Sequence, residues 1–380
     1  KKMKALIFTM TCGEGHNAIS RSLAQELESR GIESKIVQTY FFSDRRVAFE
    51  NKRFLWACKR IPRLYDFFWE KARKTRRRNG RLPGYVRRCP KHFLSVINSF
   101  KPDIILCAHS NASAVLSYLI GKKQIAPKIV SGTILFDFCL APFWEDSVNV
   151  DFIFRPADVC SSELNEKGFS EKQIITSGLP IRKEYFESFN ATDCKKSLGL
   201  PEQFTLLIMG GGNGLGNTLK LVKSLIRSGI DQHIVVINGK NKKNFAKLQR
   251  FISKNNIKNI TNLSFVVNAD KYMKAADVII SRGGSSTLCQ ALALKKPLIL
   301  REKLILNEKI NKSLLIERGC ALGMNKISDA PILVQKIKNN KDLQTQMAEN
   351  DEKFMVRNGS ENIITTCINE AISRKKISKN

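Results

Sequence analysis

A histidine between two predicted elements is the first candidate for chemistry. His16 follows Gly13 and Gly15, after an apolar run over Lys4–Thr9 that predicts a strand and before a pattern that predicts a helix over Asn17–Arg30. Glycines at such a turn allow a ligand to approach the backbone closely. A histidine there acts as a general base near neutral pH, or orients a hydroxyl. The alternative, of equal weight from these residues alone, is a histidine that only caps the helix.

The same turn also fits G-x-G-x-x-A, a loose form of the dinucleotide-binding fingerprint. That fingerprint requires an acidic residue at the end of the second strand, where it binds the ribose. The second predicted strand, Ser34–Gln38, is followed by Thr39 and Tyr40, and the first acid is Asp44. The sequence therefore argues against NAD as a ligand.

Two more glycine-rich turns follow predicted strands in the second half of the chain. In Ser281–Thr287, backbone N–H groups and hydroxyls at a helix start would form a cradle for a phosphate, and Arg282 would add positive charge. We favour this reading over a capping turn without a ligand. Met209–Gly214 is a weaker signal, because a glycine-rich turn has many uses and no Walker sequence follows.

Strands and helices alternate along both halves of the chain, which predicts an α/β fold with parallel sheets and right-handed crossovers. We expect two Rossmann-like domains facing a cleft, a common place for a ligand. The second half includes a predicted strand over Leu263–Val267, and its last predicted helix covers Leu343–Ser373. The expected divisions are an N-terminal domain over 1–180, a linker over 181–203, a C-terminal domain over 204–360, and a terminal helix and tail over 361–380.

The formal net charge of +30 requires an anionic partner, and one segment concentrates it. Between Arg45 and Lys91 there are 17 lysines and arginines against three acids, interleaved with aromatic side chains. Such a mixture is typical of an interfacial segment on anionic lipid. Packing of the aromatics in a core, or stacking on nucleic acid bases, are the alternatives. The residues expected at the membrane include Trp56, Arg60, Phe68, Trp69, Arg76 and Arg77.

Ten cysteines are scattered singly without a C-x-x-C pair, which argues against zinc-ribbon and thioredoxin-like motifs and favours a reducing cytoplasm. No apolar run approaches the roughly 18–20 residues of a spanning helix, and we find no secretory signal. The expected location is cytoplasmic, peripheral on the inner face of the cell membrane.

These motifs together resemble one family, the glycosyltransferases that include monogalactosyldiacylglycerol synthase and processive diacylglycerol glucosyltransferase, relatives of the enzyme that completes peptidoglycan lipid II. The resemblance covers most of both halves. The stretches that carry it are Gly13–Ala18 for the family's G-G-G-H-x-A loop, Phe136–Trp144 for T-D-F-x-x-H-x-x-W, Gly239–Asn241 for G-x-N, Tyr272–Asp277 with Ser281–Thr287 and Ala291–Ala293 for the donor-binding signature, and Asn307–Asn311 for Q-E-x-x-N.

The resemblance implies a GT-B fold and an inverting transfer of a hexose from a UDP-sugar to a lipid acceptor such as diacylglycerol, without a metal or other cofactor. His16 would be the base or would orient the acceptor hydroxyl, and Asp137 would lie near the acceptor, as would Gly15. Val266 would lie near the uracil, and Gln290 would face the ribose. The implied donor-binding residues are Gly211, Gly212, Asn213, Gly239, Asn241, Val266, Arg282, Gly284, Ser285, Ser286, Thr287 and Gln290, with Asn307, Glu308 and Asn311 on the sugar.

Three residues differ from the family's pattern. Ala141 stands where the family has histidine, Gln290 replaces its ribose-binding glutamate, and Asn307 replaces its sugar-binding glutamine. An amide can bind a hydroxyl, but without the strength that a carboxylate's charge adds. Two alternatives stay open: a transferase for a polyprenyl-linked or cell-surface polymer intermediate, and an inactive relative that binds lipid or nucleic acid. We find no helix-turn-helix, zinc or RNP-type motif in support of nucleic acid.

Overall fold

The computed structural model describes residues 2–10, 14–39, 56, 61–74, 89–229, 231–302, 304 and 306–377. The chain divides into two compact units. Unit 1 comprises Lys1–Arg182 and Val356–Asn380, and unit 2 comprises Lys183–Met355. Each unit contains a six-stranded parallel sheet flanked by helices, which confirms the predicted α/β class.

In unit 1 the order of the strands is β2-β1-β3-β4-β5-β6. The strands are β1 (Lys4–Thr9), β2 (Glu33–Gln38), β3 (Ile104–Cys107), β4 (Val130–Ile134), β5 (Phe152–Arg155) and β6 (Ile174–Thr176). The first five helices of the described chain also belong to unit 1: α1 (Glu14–Ser29), α2 (Pro62–Lys74), α3 (Pro90–Phe100), α4 (Ser110–Gly121) and α5 (Ser161–Glu166).

In unit 2 the order is β12-β11-β10-β7-β8-β9. The strands are β7 (Thr205–Met209), β8 (His233–Ile237), β9 (Ile260–Leu263), β10 (Val278–Ser281), β11 (Leu298–Leu300) and β12 (Ala321–Gly323). The helices are α6 (Ala191–Ser197), α7 (Thr218–Arg227), α8 (Lys242–Lys254), α9 (Ala269–Ala275), α10 (Ser285–Ala293), α11 (Asn307–Glu317), α12 (Ala330–Lys338) and α13 (Lys341–Phe354).

The central strands are nearly continuous apolar runs because helices cover both faces of a parallel sheet. In β1, Leu6 and Phe8 are fully buried, and the Phe8 ring stacks on Phe93 of α3 with a centroid distance of 4.1 Å. In β7, Leu206 and Ile208 lie in the core of unit 2. This burial fixes the strand ends, where the chain turns into loops that carry the polar residues.

Three expected elements differ in position. The strand predicted over Leu263–Val267 lies earlier, at β9, which ends at Leu263. Phe265 and Val267 follow it in an exposed loop and take no part in the pairing of β9 with β8. Helix α1 begins at Glu14, so His16 lies within its first turn rather than in the loop before it. The helix predicted over Leu343–Ser373 is two helices, since Asn358 between them has a left-handed backbone with φ +59°.

The second of these helices, α14 (Gly359–Ile377), belongs to unit 1, so the chain changes units before the expected boundary at residue 360. Arg374 of α14 binds Asp151 at 2.6 Å, next to β5. At its other end, the hydroxyls of Ser360 and Ser22 lie 2.8 Å apart, which joins α14 to α1. The last helix is therefore part of the first unit's core.

The segment expected to be a linker, residues 181–203, lies almost wholly in unit 2. Its helix α6 packs against α9. The ammonium of Lys195 donates to the Asp277 carboxylate at 2.8 Å and to the Gln203 carbonyl at 2.9 Å. These bonds make α6 part of a folded layer, which a polar sequence ending in proline did not indicate.

Candidate functional site

In unit 1, polar and aromatic side chains meet where three neighbouring strands end. His16 follows β1, His109 follows β3, and Phe136 and Asp137 follow β4. Since β1, β3 and β4 are adjacent and parallel, their carboxyl ends lie at one edge of the sheet, the usual place for a ligand in such folds. The His16 ring lies 4.7 Å from the His109 ring and 4.6 Å from the Phe136 ring, measured between centroids.

A short hydrogen bond fixes the tautomer of His16. Its Nδ1 lies 2.6 Å from the carbonyl oxygen of Ala108. A carbonyl oxygen only accepts, so Nδ1 carries the proton and donates it. The other ring nitrogen, Nε2, then holds a lone pair. The hydrogen bond orients the imidazole and leaves Nε2 as its acceptor atom, as a backbone carbonyl does in many histidine sites.

Burial determines the charge of this histidine. Desolvation lowers the pKa of His16 to about 4, although the bond to Ala108 raises it in part. The ring is therefore neutral at pH 7. A neutral imidazole with a bare Nε2 can accept a proton from a hydroxyl, which is the chemistry of a general base.

His109 belongs to this cluster although the sequence motifs did not single it out. It is the N-cap of α4, where its Nδ1 accepts from the backbone N–H of Asn111 at 3.0 Å. Its proton is therefore on Nε2. Burial, followed by repulsion from His16, lowers its pKa well below the usual value. Like His16, it lies at the start of a helix that follows a buried strand, and this position is the sequence signal that could have identified it.

Gly15 allows the close packing of this cluster. A Cβ added at Gly15 would lie 2.5 Å from Cζ of Phe136, so a side chain there would displace the ring. Asp137 is the next residue after Phe136 and is partly buried. The structure thus brings Gly15, His16 and the segment of Asp137 to one edge of the sheet. Their roles toward an acceptor remain predictions.

Helix α2 presents apolar side chains to solvent. None of the helices in the described residues combines the length and apolar character needed to cross a bilayer. Instead, bulky side chains in and near α2 are at least half exposed: Trp56, Leu64, Phe67 and Phe68. Aromatics packed wholly in a core were one alternative for this segment, and these four do not fit it.

Trp69, also expected at the membrane, is partly buried, and its ring centroid lies 6.0 Å from the guanidinium carbon of Arg73. Arg73 in turn binds Glu163 of α5 at 2.8 Å, which ties α2 to unit 1. Three other residues expected there lie outside the described residues: Arg60, Arg76 and Arg77.

In unit 2 a glycine-rich loop, Gly210–Gly214, follows β7. Gly211 and Gly214 have left-handed backbones, and a Cβ at Gly214 would overlap the Asn238 carbonyl. Gly239, after β8, packs equally close to this loop, and a Cβ there would overlap the carbonyl oxygens of Gly211 and Gly212. The loops therefore require glycine for contact with each other.

Asn241 links the same two loops. Its Nδ2 donates to the Gly214 carbonyl at 2.9 Å, and its Oδ1 accepts from the Asn244 N–H as the N-cap of α8. The neighbouring Lys240 N–H donates to the Gly212 carbonyl at 2.9 Å. Gly212 and Asn213 are partly buried in this turn. Asn241 thus holds the loop, a role that its prediction as a ligand contact did not include.

The turn after β10 starts helix α10 at Gly284, which as a glycine supplies no side-chain cap. The first backbone N–H groups of a helix have no acceptor within the helix, and a helix start is therefore a common place for an anion. Ser286 and Thr287 are partly buried, whereas the Ser285 side chain is fully buried. The hydroxyl of Ser285 therefore serves the turn rather than a ligand.

Asn311 has a different place from the one expected. Its side chain is fully buried and donates to the Gly283 carbonyl at 2.8 Å and to the Ser285 hydroxyl at 3.0 Å. In this structure it positions the turn instead of facing a sugar. Asn307 and Glu308 begin the same helix, α11, and both are partly buried.

Two other predicted donor residues lie at the edges of this region. Gln290 is partly buried on α10, with Nε2 3.5 Å from the Ser286 hydroxyl. Val266 is partly buried in the loop after β9, between the exposed Phe265 and Val267. The structure places all of these residues in unit 2, and their contacts with a donor remain predictions.

Arg301 is a buried cation that the motifs missed. It follows β11, and its side chain is only 3% exposed. Its Nη2 lies 3.4 Å from the Asn217 carbonyl, and a Cβ at Gly216 would come within 2.5 Å of its Nη1. Within the described chain, Nη1 has no hydrogen-bond partner. Burial lowers the pKa of this guanidinium, Glu302 raises it, and Arg282 lowers it again. The sequence signal that could have identified Arg301 is its place directly after a buried strand.

Two family models match the chain, one in each half. Residues 16–181 match the model for monogalactosyldiacylglycerol (MGDG) synthase, and residues 205–363 match the glycosyltransferase family 28 C-terminal domain. The chain is a glycosyltransferase, similar to monogalactosyldiacylglycerol synthase in its first half and to family 28 glycosyltransferases in its second. The predicted resemblance is thus confirmed, and each matched domain lies mainly in one of the two structural units.

Two bacterial relatives align with this chain over nearly their whole length. The processive diacylglycerol beta-glucosyltransferase of Bacillus subtilis is 25% identical over 376 residues, covering 97% of this chain and 95% of that protein. The enzyme of the same name from Bacillus licheniformis is 26% identical over 380 residues, with coverage of 98% and 96%.

Solved structures show the shared fold at lower identity. MurG of Acinetobacter baumannii has a TM-score of 0.62 at 14% identity, covering 97% of this chain and all of that one. Anabaena Alr3699/HepE, solved in complex with UDP, has a TM-score of 0.58 at 12% identity, with coverage of 96% and 99%. The chain therefore has the GT-B fold that the resemblance implied.

Proposed function

We propose that this glycosyltransferase moves a hexose from a UDP-sugar to diacylglycerol with inversion at the anomeric carbon. The observation that carries the proposal is the state of His16: neutral, anchored through Nδ1–H to the Ala108 carbonyl, and left with a lone pair on Nε2. The Bacillus relatives, named for diacylglycerol glucosylation, and the UDP complex of HepE support the choice of acceptor and donor.

In the proposed reaction the acceptor hydroxyl oxygen attacks the anomeric carbon from the face opposite the diphosphate. The new C–O bond forms as the bond to the diphosphate oxygen breaks, and UDP leaves with that electron pair. His16 Nε2 takes the hydroxyl proton. Attack from the opposite face inverts the configuration. The glycolipid departs, and the imidazolium returns its proton to solvent.

The diphosphate gains negative charge as it leaves, and the proposal assigns this charge to unit 2. The backbone N–H groups at the start of α10 would receive it, with help from the guanidinium of Arg282. The proposed reaction uses no metal, because these groups supply the positive charge. The glycine loops Gly210–Gly214 and Gly239 would allow the nucleotide to approach the backbone.

The acceptor is a membrane lipid, so the protein must reach a bilayer. The exposed apolar side chains of Trp56, Leu64, Phe67 and Phe68, in a segment rich in arginine and lysine, suit the boundary of an anionic membrane. We propose contact through this region. The expected location, the inner face of the cell membrane, remains a prediction.

The test is a transfer assay with purified protein, diacylglycerol in vesicles of phosphatidylglycerol and phosphatidylcholine, and a panel of UDP-sugars. Release of UDP together with a new glycolipid of the mass of diacylglycerol plus hexose is expected. Failure with every UDP-sugar would refute the donor, and transfer only to a polyprenyl-linked acceptor would refute the lipid. His16→Ala should lower the rate by roughly 10²–10⁴, whereas His92→Ala, on the exposed side of α3, should not.

A further inference from the structure

The positive charge of the chain is concentrated in two segments. Residues 45–91 have a net charge of +14, and residues 220–258 carry ten lysines and arginines against a single acid, Asp231. These segments together hold +23 of the total of +30. The second segment lies wholly in unit 2 and includes helices α7 and α8.

Seven of the eight cations in α7 and α8, all except Lys242, form two regular stripes. In α7 they are spaced i, i+3, i+7, and in α8 they are spaced i, i+4, i+7, i+11. Each spacing keeps side chains on one face of a helix. All seven are exposed, apart from one that is partly buried, Lys223. The seven residues, here called the α7–α8 basic face, are Lys220, Lys223, Arg227, Lys243, Lys247, Arg250 and Lys254.

The two stripes join into one surface. Helices α7 and α8 pack against each other. The ammonium of Lys223 lies 4.9 Å from the ring centroid of Phe251 on α8, so the α7 stripe reaches over the neighbouring helix. The opposite sides of both helices are in the core, where Leu221, Leu225 and Leu248 are fully buried. The positive face is therefore held rigidly toward solvent.

The positive charge of the α7–α8 basic face is not neutralised by acidic side chains of the described part of unit 2. Among the described residues, none of the seven cations forms an ion pair. A dense group of like charges repels itself, and an anionic surface relieves that repulsion. Helix α8 has 13 residues and is thus about 20 Å long, enough to face several headgroups.

We propose that the α7–α8 basic face is a second membrane contact, which binds anionic lipid headgroups of the bilayer that contains the acceptor. The proposal rests on the proposed function, because a lipid acceptor brings the enzyme to a membrane. A bilayer fits better than nucleic acid: the face consists of lysine and arginine, and its one neighbouring ring, Phe251, is partly buried under Lys223 and so is not presented for base stacking.

The experiment compares two four-fold variants of the full chain in vesicle sedimentation. The first is Lys243→Gln, Lys247→Gln, Arg250→Gln and Lys254→Gln. The control removes the same charge from exposed lysines elsewhere in unit 2: Lys271→Gln, Lys336→Gln, Lys341→Gln and Lys353→Gln. The probe is an equal mixture of phosphatidylglycerol and phosphatidylcholine, with pure phosphatidylcholine as the uncharged reference.

The first variant should bind the anionic vesicles at least about ten-fold more weakly than the control, since each cation near an anionic surface strengthens binding several-fold. The difference should vanish on phosphatidylcholine. Equal binding by the two variants would overturn the proposal, as would a selective loss of duplex DNA or RNA binding with vesicle binding unchanged. Sugar transfer by the wild type in neutral detergent micelles tests the proposed function separately, because micelles offer no anionic surface.

Discussion

Arg282 and Glu308 form a bidentate ion pair between the end of β10 and the first turn of α11. The guanidinium Nε donates to Oε1 at 3.1 Å, and Nη2 donates to Oε2. The two side chains are only 12% and 14% exposed. Both residues were expected to contact the donor. A donor phosphate would therefore have to bind a guanidinium that already donates two hydrogen bonds to a carboxylate.

Breaking this pair should be costly, because the remaining charge stays buried without a partner. Arg282→Ala should lower the free energy of unfolding by about 3–5 kcal/mol. Arg282→Met combined with Glu308→Leu should lower it by less than the single change. The control is Lys295→Ala, which removes an exposed pair with Glu352 and should cost under about 1 kcal/mol. Urea unfolding measures all four proteins, and equal losses from Arg282→Ala and Lys295→Ala would contradict the prediction.

The low pKa of His16 predicts an unusual pH profile. Its folded pKa is about 4 and its ordinary value is 6.5, so the base is already neutral at pH 5. We expect kcat/KM to stay nearly constant as pH falls from 7 to 5 and to decline only toward pH 4. The unfolded chain binds this proton first, so the free energy of unfolding should fall between pH 6.5 and 4. An acid limb of kcat/KM centred near 6.5 would show that His16 is not the base.

A side chain at Gly214 should collide with a neighbouring loop. Gly229 serves as the control, because a side chain there would suffer only the strain of a left-handed backbone. Gly214 and Gly229 both have left-handed backbones, but only Gly214 faces a neighbouring carbonyl, that of Asn238. Gly229→Ala should cost about 1–2 kcal/mol from its conformation alone. Gly214→Ala should cost more and weaken UDP binding, measured by calorimetry. Equal stability and unchanged UDP affinity in the two variants would argue against a role for this close contact.

Asp351, on α13, is a buried acid whose charge should destabilise unit 2. Burial raises the pKa of its carboxyl to about 8, while a bond with Cys320 and the charge of Lys295 lower it. The folded state holds this proton longer than the unfolded chain, so stability should fall as pH rises from 3.8 to about 8. Asp351→Asn does not titrate there. Its melting temperature should match the wild type near pH 4 and exceed it at pH 8, and a constant difference would contradict the account.

The long buried strands could be predicted from the sequence, because an apolar run bounded by polar residues has few other uses in an α/β fold. β1, Lys4–Thr9, has the predicted bounds. The sequence did not predict β6 and β12, because a strand of three residues is too short to show the alternation of side chains that marks a strand. Side-chain partnerships were also out of reach: nothing local in the sequence indicates that Arg282 binds Glu308, 26 positions later, or that Asn311 turns inward to Gly283.

The motifs predicted which loops matter better than they predicted what each side chain does. His16 and the turn at Gly284 lie at the carboxyl edges of their sheets, as the strand-turn-helix pattern required. His109 and Arg301 occupy equivalent edges without a motif of their own. Their importance arises from adjacency of strands in space, which depends on sheet order and not on sequence distance.

The return of the chain to unit 1 affects how the protein is made. Ile363, Ile364 and Cys367 of α14 are fully buried in that unit. When the ribosome has synthesised Lys1–Arg182, the core of unit 1 still lacks helix α14. All of unit 2, Lys183–Met355, is synthesised before that helix. The unit synthesised first should thus be the last to reach its native packing, and a nascent chain stalled before Gly359 would expose an apolar surface to chaperones.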